Sequence, residues 1–164
     1  MKNGIKCLLL VAGLLMMGIT NAQYSNSTGF TGSVSIGANT GLSRGALGAH
    51  FGLQIGNSTT ELGFHTGLTK GLIGALRTGV EIPMGVSDFS WWHRVIVTPF
   101  VGTSYYFADS DNPVNNGSGL DLLYGGQIGY RPPNWPVKWF LEYQCSNGEL
   151  RNYKFYMFGI KTYF

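Results

Sequence analysis

Three groupings of side chains in this sequence have the types and spacing to do chemistry. His50 and His65 fall at matching places on two halves of one hairpin pattern. Two imidazoles on one face can share a proton or a metal ion. Two nitrogens with Glu61 a step further along do not complete a zinc site. The pair therefore reads as hydrogen-bonded interior histidines, and as a metal candidate only in second place. The second grouping is Glu61, Arg77, Glu81, Asp121, Lys138, Glu142 and Lys161, with Gln54 beside them. These charges are nearly balanced in sign and read as a structural salt-bridge network. The third is Gln144-Cys145-Ser146-Asn147-Gly148, which carries a serine hydroxyl at a strand end. A serine hydroxyl needs a base to take its proton. Gln144 cannot do that near neutral pH, and His93 belongs to a distant turn. Ser-Asn-Gly then reads as a turn at a strand end. No pattern calls for a cofactor.

The elements that would carry these residues are strands. Period-two alternation marks eight of them, at 29–38, 46–56, 59–69, 73–84, 94–107, 120–130, 137–145 and 153–164, so the fold class is all-β. The second hairpin sorts by polarity. With Asn57-Ser58 as a two-residue turn, Leu53 faces Leu62 and Phe51 faces Phe64, while Gln54 faces Glu61, Gly52 faces Gly63 and His50 faces His65 on the other side. A slip by one residue would destroy that sorting. A soluble barrel would show long polar side chains on the less apolar face, yet here the face is dominated by glycine, as at Gly48, Gly52, Gly63, Gly67, Gly79, Gly125, Gly129 and Gly159. Small residues suit the inside of a narrow barrel, which puts the apolar face outside. The fifth strand is apolar on both faces and contains Pro99, which predicts a bulge or a boundary placed elsewhere.

Composition agrees. Of 164 residues, 25 are glycine, 14% are aromatic and only 12% are charged, too few charges for a water-facing surface. Lys2 and Lys6 precede an apolar run from Cys7 to Ile19, followed by Thr20-Asn21-Ala22. That is the pattern of a secretory signal peptide over residues 1–22, too short an apolar run to span as a helix. The barrel would occupy 23–164. Two of the 11 Lys and Arg residues lie in the signal, leaving nine against eight acidic ones, and a balance this even gives no reason to expect nucleic acid. Connections at 39–45, 70–72, 108–119 and 146–152 would face outside, and the polar stretch Ala108 to Gly119 is the best surface loop. Phe89, Trp91, Trp92 and Trp135 would form one aromatic girdle, and Tyr105, Tyr106, Phe107 and Tyr153 the other.

The terminal run Tyr153 to Phe164, ending on an aromatic, resembles the signature by which the assembly machinery of Gram-negative outer membranes recognises its clients, with Phe164 as the signal residue. Over its mature length the chain resembles the small eight-stranded outer-membrane β-barrel proteins of OmpX and OmpA type. That resemblance implies an integral outer-membrane protein in contact with lipid and lipopolysaccharide, reached after signal cleavage. Ser146, Asn147 and Gly148 are also similar to the His-x-Ser-Asn motif of the lipid A 3-O-deacylase (PagL-like) family, with Gln144 where that family has histidine. The reading reached is a closed, non-enzymatic outer-membrane barrel with a structural or surface-interaction role, partnered through loop 108–119. The alternatives are a lipid A esterase using Ser146 and a narrow pore for small solutes or protons.

Overall fold

The computed structural model describes residues 28–40, 45–67, 72–85, 91–107, 119–133, 135–147 and 152–164. The expected signal peptide, most of loop 108–119 and Gly148 lie outside them. The strands are β1 (Thr28–Thr40), β2 (Ala46–Ile55), β3 (Ser58–Gly67), β4 (Leu72–Val80, taken up again by Ile82–Pro83), β5 (Val95–Phe107), β6 (Gly119–Tyr130), β7 (Val137–Asn147) and β8 (Asn152–Tyr163). All pair antiparallel with their neighbours in sequence, and β1 pairs with β8. With β4 also pairing β5, the sheet closes on itself as an eight-stranded barrel. Closure leaves no edge of unpaired backbone groups, as crossing a bilayer requires.

Alternation sets the two faces. Along β2 the buried and exposed positions alternate without exception from Ala46 to Ile55. Outward positions include Phe30, Phe51, Leu62, Leu76, Leu141 and Phe158, all exposed. Among the described strand residues, Lys154 is the one charged side chain on that face. Thr60 and Thr78, also outward, share a hydrogen bond across adjacent strands at 3.1 Å, which lowers the cost of facing them away from water.

The predicted hairpin register is corrected. The turn is Gly56-Asn57, and Leu53 faces Thr60, Gln54 faces Thr59, His50 faces Gly63 and Glu61 faces Gly52. Gly56 has φ of 58°, the sign that primed hairpin turns need at their first central residue, and glycine adopts it without strain. A shift of two positions keeps each side chain on its face, so polarity alone does not separate the two registers. The predicted bulge in β5 is absent, since its pairing with β6 runs in one register from Val95 to Tyr106. What breaks instead is β4, at Glu81, across from the stretch containing Pro99, which has no N–H to donate. The Glu81 amide bonds the Asn57 carbonyl at 2.8 Å instead.

Inside, several large side chains face glycine on the next strand. His65 lies opposite Gly48, His50 opposite Gly63, Glu61 opposite Gly52, Arg77 opposite Gly102, Gln144 opposite Gly125, and Phe140 between Gly129 and Gly159. A Cβ on Gly63 would occupy the His50 ring. Eight strands enclose a narrow interior, and glycine on a neighbouring strand makes room for the bulky group on these rungs.

Candidate functional site

The interior has two layers. At the end bearing the connections 41–44, 68–71, 108–118 and 148–151, an apolar layer of Ala46, Ile73, Tyr106, Tyr153, Phe155 and Met157 closes the barrel. Tyr106 and Tyr153 stack on each other there with centroids 5.8 Å apart. They are therefore interior residues, which corrects their assignment to a girdle. Tyrosine suits either place because its ring is apolar and its hydroxyl polar. Tyr105 and Phe107 do face outward, as do Trp91, Trp92 and Trp135. Trp91 and Trp92 stack at 4.0 Å in the 3-10 turn Trp91–Arg94.

Beyond the apolar layer, acids and bases alternate along one chain of contacts. Arg77 reaches Glu142 through Nη1 at 2.9 Å and Glu61 through Nη2 at 2.8 Å. Lys161 Nζ joins Glu61 at 2.9 Å to Glu81 at 3.2 Å, and Lys138 Nζ ends the chain on Glu81 at 2.6 Å. Tyr163 donates its hydroxyl to Glu81 at 2.8 Å, and Gln127 its amide to Glu142 at 2.6 Å. Three carboxylates and three cations thus balance in a site where Lys138 is 0% exposed, and each charge is held by charge-assisted hydrogen bonds. The Arg77 guanidinium also lies over the Phe100 ring, 4.5 Å from its centroid.

Six of the eight predicted network residues meet here. Gln54 instead folds back on its own turn, donating to the Gly56 carbonyl at 2.9 Å. Asp121 has inward parity but is only half-buried near the loop-bearing end of β6. Sequence reasoning missed Tyr163, Gln127 and Thr98 as members. Their inward parity was the signal available.

His50 and His65 do come together, as diagonal neighbours, with Nε2 to Nε2 at 3.0 Å. Ser33 Oγ lies 3.3 Å from His50 Nδ1. The neighbour that sequence reasoning did not supply is Glu142, from β7 across the lumen. One ligand atom from each of His50, His65 and Glu142 falls within 4.8 Å of the others. Ser146 belongs to β7 rather than to a turn, because the ladder with β6 continues through Ser146 and Asn147. Its side chain points inward, 1% exposed, and its hydroxyl meets that of Ser104 at 2.6 Å. Gln144 accepts from Arg77 at 3.4 Å. Phe164 is exposed, and its amide donates to the Phe30 carbonyl at 2.9 Å.

No family model matches the chain, and none of the curated proteins does. Among solved structures, a de novo designed transmembrane β-barrel superposes with a TM-score of 0.51 at 14% identity, covering 83% of this chain and 95% of that one. The fold is that of a transmembrane β-barrel. The outer-membrane protein Ail of Yersinia pestis, determined in a phospholipid bilayer nanodisc, is similar at a TM-score of 0.49 and 13% identity, over 83% of this chain and 99% of Ail. The barrel's apolar outer wall and ion-paired interior are the polarity that a bilayer imposes on this architecture.

Proposed function

We propose that this protein is an integral outer-membrane barrel with a structural or surface-interaction role and no catalysis, the loops and rim making the contacts. Loop 108–119 is the principal contact surface, and lipopolysaccharide, a host surface or a protein partner is what it meets. The observation that carries this reading is the filled interior: an apolar layer over an acid-base chain leaves the outer wall and the loops to interact with anything else. The esterase alternative has less support, since Ser146 is buried against Ser104 and Gln144 offers no basic nitrogen.

Two measurements test this. Purified protein incubated with lipopolysaccharide should leave the lipid A mass spectrum unchanged, and the same protein in a planar bilayer should give no unitary conductance. Loss of an ester-linked acyl chain that depends on Ser146 would overturn the non-catalytic reading, and regular current steps would restore the pore. Replacing residues 109–118 by a Gly-Ser linker should reduce binding to lipopolysaccharide-containing vesicles or host surfaces while leaving folding intact.

A further inference from the structure

The geometry points to a divalent transition-metal site built by His50, His65 and Glu142. Two imidazole nitrogens and a carboxylate oxygen are the donor set of three-ligand zinc sites. Tetrahedral ligands about 2.1 Å from an ion stand roughly 3.3 Å apart, and the two Nε2 atoms already stand 3.0 Å apart. The Glu142 carboxylate, within 4.8 Å, has to close by at most about 1.5 Å to complete the triangle. It can keep its bonds to Arg77 and Gln127 on its remaining lone pairs. A fourth position remains for water, and ionisation of a metal-bound water offsets part of the added charge.

A second observation concerns the far side of each ring. Ligating histidines almost always donate their other N–H to a neighbouring oxygen. Without an ion, the Nε2 to Nε2 bond uses one proton, and both His65 Nδ1 and Ser35 Oγ remain buried with no hydrogen-bond partner. Those two atoms both crowd Gly48, since a Cβ there would lie 3.0 Å from His65 Nδ1 and 2.6 Å from Ser35 Oγ. An ion on both Nε2 atoms puts one proton on each Nδ1, the same total as two neutral rings carry. His50 Nδ1–H then points at Ser33 Oγ, and His65 Nδ1–H lies beside Gly48, which Ser35 Oγ also flanks. The glycines opposite both histidines make room for the rings to meet.

Access follows from the layers. The apolar layer lies toward the loops, while Arg77, Lys161, Lys138 and Glu81 fill the interior toward the termini. The ion therefore enters while the barrel closes and leaves slowly.

Untagged protein refolded into detergent with zinc, dialysed against EDTA, and checked for folding by heat-modifiable electrophoretic migration should retain one zinc per folded chain by elemental mass spectrometry. Protein refolded with EDTA present should fold and contain none. Refolding with cobalt should give the d–d absorption of a four-coordinate nitrogen and oxygen site. His65→Ala and His50→Gln should lose the metal, and His93→Ala, outside the lumen, should keep it. Zinc at background in folded wild-type protein, or no cobalt spectrum, overturns the site whether or not the variants fold. Equal retention by the folded histidine variants overturns it as well.

Discussion

Arg77 holds two carboxylates from opposite walls, Glu61 on β3 and Glu142 on β7. Removing it strands negative charge in a buried site, which is far costlier than losing an exposed ion pair. Arg77→Met should lower stability by about 3–5 kcal/mol, read as a shift in the urea midpoint for unfolding from bilayers. Ser146→Ala is milder. It leaves the Ser104 hydroxyl without its partner, a loss of about 1–3 kcal/mol, and lipid A composition should stay as in wild type. The charged residues were legible from the sequence because an ion in an otherwise apolar and glycine-rich strand has only the interior to go to. The meeting of Glu142 with the histidines was not legible, because contact across a lumen depends on how far each strand is staggered when the barrel closes.

At the scale of elements, β2 and β3 show what alternation determines and what it leaves open. Parity alone placed Phe51 and Leu62 outside and Glu61 and His65 inside, as observed. The partner of each residue depended on the turn, and Gly56 rather than Asn57 takes its first central place. Cysteine pairs discriminate the registers. Leu53→Cys with Thr60→Cys should cross-link under mild oxidation, whereas Leu53→Cys with Leu62→Cys should not, because a disulfide tolerates Cα separations of only about 4.4–6.8 Å. Depth along the strand sets the tolerance of the outer wall. Leu62→Arg, mid-strand, should cost about 2–4 kcal/mol, and Ile55→Arg beside the turn about 0–1 kcal/mol, both measured by the same unfolding assay.

For the whole molecule, closure joins a lipid-facing wall to a balanced ionic interior. Ions in solution screen exposed charges and reach buried ones poorly. The unfolding midpoint of the folded barrel should therefore change little between low and high sodium chloride, and a steep salt dependence would show that the acid-base chain is open to water. The facing of several large inward side chains by glycines also bears on how such a chain can drift. A change on one side of a rung makes a clash or a void, so what is held constant is the volume of the rung rather than the identity of either residue. Gly63→Val should destabilise by about 1–3 kcal/mol, but much less when His50 is already alanine, because the space the ring vacates accepts the new methyl groups. Descendants of this sequence should accordingly change across rungs in compensating pairs, with a glycine lost on one strand only where a bulky partner has shrunk on the next.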